Sequence, residues 1–168
     1  MTTYEDEAFP GYRFEIGTVT EFSFAFEAIE ALVSSRGHVS PKSLHKYLPE
    51  AQVIAAARHR DEIVAVCILK GVRPSYNASI AGKSKYSLRP DTPELGYAAT
   101  HPQHEKRGLG SRLTQEVLKR AAGDVFATVR MTNSGEQRNL ERLGFRRERE
   151  HWKGDGQYNV GLWVRKKL

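Results

Sequence analysis

Two nearly uninterrupted apolar runs, Val53–Ala57 (VIAAA) and Ile63–Leu69 (IVAVCIL), flank the charged stretch His59–Glu62 (HRDE). Both runs are rich in β-branched residues and short enough for strands, so the pattern predicts a hairpin turning on the charged residues. Such strands need cover. Tyr12–Ile16 supplies a further strand, and Thr18 with Glu21 forms a capping-box pattern. Beyond it Phe22, Phe26, Ile29 and Val33 recur at helical spacing up to Gly37. Ser40-Pro41 then reads as an N-cap followed by a proline in the first helical position, opening a short helix through Leu44 and Leu48.

Residues 71–93 carry Gly82, Pro74, Pro90 and Pro93 among scattered polar and basic residues. That punctuation predicts a long loop or insertion, used as a lid or binding loop or else disordered. A strand is expected at Glu94–Thr100, followed by a helix with Leu109, Leu113, Val117 and Leu118 on one side. Strands are expected at Asp124–Met131, from Phe145, and at Tyr158–Val164. Between the first two, Ser134 and Gln137 would cap a short helix ending at Leu143-Gly144. The fold class is therefore mixed α/β, one domain over residues 1–168 with a central sheet flanked by helices.

Composition narrows the field. The chain carries 39% hydrophobic and 27% charged residues, as ordinary globular proteins do. No apolar run approaches the roughly 20 residues that cross a bilayer, and residues 1–10 have neither the basic start nor the apolar core of a signal peptide. The expectation is a cytoplasmic protein with no membrane partner. Cys67 is the single cysteine, and no His/Cys pattern has metal-ligand spacing, so no metal is expected. The net charge of +6 favours an anionic partner, without choosing among nucleic acid, acidic peptide and a phosphate-rich cofactor.

The join between Tyr97 and Leu113 is the most informative segment. Gly108 and Gly110 bracket one residue where a helix opens, with Lys106, Arg107 and Arg112 beside them. Glycines let the backbone turn tightly against a ligand, and the first helical amides have no internal acceptor. The pair serves either as a phosphate cradle or as an ordinary helix start. The dinucleotide fingerprint and the nucleoside-triphosphate loop are both absent.

Thr100-His101-Pro102, then Glu105-Lys106-Arg107-Gly108-Leu109-Gly110, and later Asn133 with Gly144-Phe145 resemble the motifs of the GCN5-related N-acetyltransferase (GNAT) superfamily, and the resemblance covers nearly the whole chain. It implies a splayed, mixed, mostly antiparallel central sheet flanked by helices. It implies acetyl-CoA, or another acyl-CoA, as co-substrate. The pyrophosphate would meet Glu105, Lys106, Arg107, Gly108, Leu109, Gly110, Ser111 and Arg112; the pantetheine would meet Ala98, Ala99, Thr100 and Asn133. Glu105 replaces the Gln or Arg that opens the family's motif, and a carboxylate there would repel the pyrophosphate unless it turns outward and is offset by Lys106 and Arg107.

The implied reaction is direct attack of a primary amine on the thioester, with no metal. Glu94, at the start of the strand before the join, is either the general base or a solvated strand-end carboxylate. Leu140 stands where many relatives carry a proton-donating tyrosine, which leaves Tyr158, Tyr76 and Tyr86 as candidates for that acid. Phe24, Arg36, His38 and Tyr97 are candidate substrate contacts, and His101 and His104 are expected to face solvent. The acceptor is expected to be a small-molecule or peptide amine. Alternatives are a nucleic-acid or nucleic-acid-bound acceptor, favoured by the basic residues Arg73–Arg89, and an inactive acyl-CoA-binding protein. Family habit adds a homodimer.

Overall fold

The computed structural model describes residues 1–167, apart from the side chain of Arg149. The expected hairpin forms as β3 (Val53–His59) and β4 (Glu62–Leu69), antiparallel with His59 opposite Glu62. Arg60 takes the left-handed conformation that a two-residue turn requires (φ 56°). Both faces of the hairpin are buried. Ile54, Ala56, Val66 and Ile68 share a core with Ile29, Leu32 and Val33 of α1 (Phe26–Ser35) and Leu44 of α2 (Pro41–Tyr47). Cys67, pointing the other way, meets Thr114 of α4 (Leu109–Arg120) at 3.5 Å. A strand covered on both sides cannot alternate polar and apolar residues, which is why these runs read as continuous.

The sheet around the hairpin has the order β1-β2-β3-β4-β5, with β1 at Thr2–Glu5, β2 at Tyr12–Gly17 and β5 at Leu95–Thr100. β1 pairs antiparallel with β2 and β2 with β3. The strand β1 has no apolar pattern and is not foreseen in the sequence. Thr18 and Glu21 do bond reciprocally, at 2.8 and 3.4 Å, but α1 starts only after a 3₁₀ turn at Ser23–Ala25.

The single domain expected over residues 1–168 divides into two units, and no linker marks the division. The first takes Met1–Gly71 and Gly96–Arg120; the second takes Val72–Leu95 and the chain from Ala121 onward. In the second unit β6 (Val125–Arg130), β8 (Asn159–Arg165) and β7 (Arg146–Lys153) form an antiparallel sheet in that order, and Glu94 adds a parallel bridge to Phe126. The pairings β1–β2, β2–β3, β3–β4, β6–β8 and β7–β8 are antiparallel, and helices flank the strands, so the fold is the expected mixed α/β arrangement.

Residues 71–93 correct the sequence reading. Pro74–Ser84, within the expected loop, is the helix α3, with Pro74 in its first turn and Lys85 left-handed at its end, and only residues 71–73 and 85–93 lack regular structure. Ile80 joins Leu88, Phe126, Leu162 and Val164 in the second unit's core. The buried Asn77 amide donates to the carbonyls of Arg89, Pro90 and Thr92 at 3.1, 3.1 and 2.8 Å, tying the segment after α3 to the helix. α5 (Ser134–Arg142) also differs in detail. Its cap is Asn133 rather than Ser134, and Gln137 donates instead to the carbonyls of Arg130 and Met131.

Asn77→Ala leaves the buried Thr92 carbonyl and the partly buried carbonyls of Arg89 and Pro90 without that donor and is expected to cost about 1–3 kcal/mol in chemical denaturation. Asn77→Asp is expected to cost more, because it turns a carboxylate toward the same carbonyls.

Candidate functional site

The segment from His101 to Gly108 is built by a chain of local anchors. His101 N–H donates to Val64 O at 2.8 Å, and the His101 ring accepts from Gln103 N–H at 3.2 Å, capping a single 3₁₀ turn at Pro102–His104. His104 Nδ1 lies 2.8 Å from the Tyr12 hydroxyl, and its ring lies 4.9 Å from His59 and 5.7 Å from His101. His104 is therefore only half exposed, and burial, then His59, Arg107 and His101, hold it below the usual histidine range. Among the described residues no group of three histidine, cysteine or acidic side chains could hold a metal ion.

Glu105 follows, paired with Arg36 at the end of α1. Its charge is thus offset by Arg36 rather than by Lys106 and Arg107, and Arg36 is engaged there instead of standing free for an acceptor. Lys106 and Gly108 both have positive φ, 60° and 83°, so the backbone coils into a concave turn whose amides can converge on an anion. The ladder of α4 begins with Arg112 N–H donating to Gly108 O at 3.0 Å. The amides of Leu109, Gly110 and Ser111 therefore lie ahead of it, at the positive end of the helix.

The two glycines differ in what they do. At Gly108 the positive φ itself excludes most side chains. At Gly110 a Cβ would rest 3.9 Å from Thr100 Oγ1, an ordinary contact, so packing alone does not require glycine there. Its absence of a side chain keeps the opening of α4 bare. Lys106 and Arg107 are exposed and make no ion pair among the described residues. Bare amides, a helix start and two exposed cations make a donor set that fits a pyrophosphate. Arg112 does not belong to that set. Its amide is spent in the helix, and its guanidinium binds Asp6 at 3.0 Å and Glu116 at 3.3 Å over the Tyr4 ring.

Ala98, Ala99 and Thr100 lie on β5, the last strand of its sheet. Tyr97 sits in the same strand at φ 48°, a conformation that costs a bulky residue on the order of 1–3 kcal/mol and re-aims the neighbouring backbone groups. Its ring packs into the α1-side core with the Lys70 ammonium 4.2 Å from its centroid, so it is a packed aromatic rather than a surface contact. Phe24 is 68% exposed beside Arg58, and His38 is exposed.

The remaining candidates lie in the second unit. Glu94 is no solvated strand end: only 4% exposed, its Oε1 accepts from Thr128 Oγ1 at 2.8 Å and the Tyr76 hydroxyl at 3.3 Å, and its Oε2 lies 3.9 Å from Arg73. Burial first, then the Glu94 charge, raises the Tyr76 phenol far above its usual range, which makes Tyr76 a poor proton donor. Tyr158 packs flat beneath Arg130, 3.9 Å from guanidinium carbon to ring centroid. Asn133 Oδ1 is committed to the Glu136 amide at 3.1 Å, and Leu140 is fully buried.

Sequence reasoning missed Glu136. It occupies the third position of α5, where a carboxylate ordinarily reaches back to the cap amide and gains from the helix dipole. Here Asn133 N–H is already bonded to Arg130 O, and burial pushes the Glu136 carboxyl up to about 7, partly offset by a hydrogen bond from the Asn139 side chain. No motif in the sequence signals this.

The acetyltransferase (GNAT) family model matches residues 22–145. Among solved structures, Arabidopsis thaliana NAA60 in complex with acetyl-CoA superposes with a TM-score of 0.67 at 18% identity, over 93% of this chain and 99% of that one. A GNAT family acetyltransferase from Elizabethkingia anophelis with acetyl-CoA bound gives 0.62 at 14%, over 95% and 100%. IAA acetyltransferase from Bacillus cereus gives 0.62 at 12%, over 93% and 99%. No curated protein matches the chain in sequence.

Glu136 also makes stability depend on pH. Because its folded value is raised, the protonated form is the one folding favours, and that stability is lost as pH rises from about 4.5 through about 7. Glu136→Gln is expected to remove this slope and to be more stable than the wild type above pH 8, measured by urea unfolding across the range.

Proposed function

The chain belongs to the acetyltransferase (GNAT) family, and we propose that it transfers an acetyl group from acetyl-CoA to a primary amine by direct attack of the amine on the thioester. The observation that carries this reading is the concave turn at Lys106–Gly108 running into the bare start of α4. Bound there, acetyl-CoA would supply an activated acyl carbon and a thiolate leaving group. The amides of Leu109, Gly110 and Ser111, with Lys106 and Arg107, would hold its pyrophosphate, and the edge of β5 at Ala98–Thr100 would pair with the amides of its pantetheine arm. Asn133 keeps only its side-chain NH₂ for that arm, since its oxygen caps α5.

Glu94 is the proposed base. Tyr76, Thr128 and Arg73 fix its carboxylate, and a fixed carboxylate loses little entropy when it takes a proton from an attacking amine. Among the described residues no helix is long and apolar enough to cross a membrane.

Mass spectrometry after incubation with acetyl-CoA and a panel of amines tests the reading. A product heavier by one acetyl group is expected, with Glu94→Gln lowering kcat by about 10²-fold or more while the acetyl-CoA Kd stays within twofold. Coenzyme A that binds without any product would favour an inactive binding protein, and no binding would refute the proposal.

One observation favours a second acceptor class. The first unit carries 12 lysines and arginines against 12 acids, whereas the second carries 14 against 8, so the whole surplus of +6 lies in the second unit. A nucleic-acid-bound amine would exploit that field, and binding to RNA or DNA that weakens steeply with salt would distinguish it.

The Arg36–Glu105 pair yields a separate expectation. Arg36→Ala exposes the cradle to an uncompensated carboxylate and should raise the coenzyme A Kd roughly fivefold, the scale of about 1 kcal/mol. Adding Glu105→Gln should restore it in isothermal titration calorimetry.

A further inference from the structure

Thr128 and Arg130 stand two residues apart on β6, so their side chains leave the strand on one face, roughly 7 Å apart at the backbone. Thr128 donates to the Glu94 carboxylate at 2.8 Å. Arg130 has no such partner. Its guanidinium is half-buried, yet it makes no ion pair and donates no hydrogen bond among the described residues. The side chain is nonetheless held at both ends. The Arg130 carbonyl accepts from Asn133 N–H at 2.9 Å and from Gln137 Nε2 at 3.2 Å, which fixes the end of the strand. The guanidinium carbon lies 3.9 Å from the centroid of the Tyr158 ring.

That ring is itself seated against backbone. A Cβ on Gly154 would lie 2.8 Å from Tyr158 Cε2, and one on Gly156 would lie 3.0 Å from Cε1. Gly154 N–H also donates to Tyr158 O at 3.0 Å. The two glycines thus leave room for one flat platform, and a single cation lies on it. Asp155, between those glycines, does not pair with Arg130. Stacking uses the face of a guanidinium and none of its five N–H donors, which stay in the plane for a ligand. An aliphatic side chain would cover the ring as well; a cation with its donors unspent points to an anion. The fork of donors matches the oxygens of a carboxylate or a phosphate.

We propose that Arg130 selects an acceptor amine that also carries an acidic group, carboxylate or phosphate, with Tyr158 as its positioning residue. The proposal rests on the acetyl-transfer reading above and narrows its substrate class. The amine meets Glu94, and the acidic group, a few bonds away in the same molecule, meets Arg130. Glu94, Thr128, Arg130 and Tyr158 all belong to the second unit, so both ends of the acceptor are read within it.

The test uses matched amines with acetyl-CoA: 4-aminobutyrate against its carboxamide, and 2-aminoethyl phosphate against ethanolamine. At least one acidic member is expected to exceed its neutral partner in kcat/KM by roughly 10–100-fold, the worth of a charged hydrogen bond. Which pair shows the ratio separates carboxylate from phosphate. Arg130→Gln should bring that ratio to within about twofold of one, the loss falling on the KM of the acidic amine. Arg130→Lys keeps the charge but not the fork and should retain only part of the ratio. Tyr158→Phe keeps the ring and should preserve it, whereas Tyr158→Leu should lower it. Equal use of acidic and neutral amines by the wild type, or a ratio that Arg130→Gln leaves untouched, overturns the proposal and leaves acetyl transfer standing. Isothermal titration calorimetry of the full chain, with and without coenzyme A, reads the same preference independently of turnover. The acidic amine should bind about tenfold more tightly than its neutral partner, and Arg130→Gln should erase the difference. No difference in binding overturns the selection; a difference without any transfer keeps it and overturns transfer to such amines alone.

Discussion

The double burial of the β3–β4 hairpin is the constraint from which the first unit follows. Every residue from Ile54 to Ala57 and from Val66 to Cys67 is essentially inaccessible, so the hairpin is stable only if something covers each face. α1 and α2 cover one and α4 the other. Covering the second face fixes where α4 begins, and the chain that reaches it must leave β5 and turn within eight residues, from His101 to Gly108. That short, strained connection is the candidate anion site. The two left-handed residues, Lys106 and Gly108, are the geometric consequence of so tight a return, and the bare amides are the consequence of starting a helix there.

This explains what could be read beforehand. The hairpin, the helix from Leu109 and the glycine pair depend on local chemistry: apolar runs, periodic leucines, and a positive φ that only glycine adopts readily. The helix α3 depends on something else. It buries Asn77 and Ser84 along with Ile80, and its polar residues are satisfied by carbonyls 12 to 15 residues away in the chain or one turn back. A buried face made partly of polar residues carries no apolar period, and three prolines nearby made the segment look like a loop. The strand β1 was illegible for the opposite reason: it is an edge strand held by backbone pairing, with little side-chain burial to leave a trace.

The site shows the same division. Glycine positions are readable because their demand is conformational. Charge partners are not, because they are tertiary: Arg36 reaches Glu105 across 69 positions, and Asp6 reaches Arg112 across more than a hundred. The acidic start of the chain and the basic motif look like separate surface features in the sequence. In the structure Asp6 takes Arg112 out of the cationic set, and Arg36 takes the one awkward carboxylate out of the cradle. The net effect is a loop whose charges outside ion pairs among the described residues, Lys106 and Arg107, are both positive.

Glu136 illustrates why proton chemistry is the least legible layer. Its position in the first turn of α5 would ordinarily lower a carboxyl, since the helix dipole and the free amides both favour the anion. Burial runs the other way and wins, because Asn133 has already claimed the Glu136 amide and its own amide is bonded to Arg130. The sequence shows an Asn, a Ser and a Glu at spacings that suit a cap. Which of them caps, and which is left to titrate near neutral pH, is decided by one backbone hydrogen bond from Asn133 to Arg130.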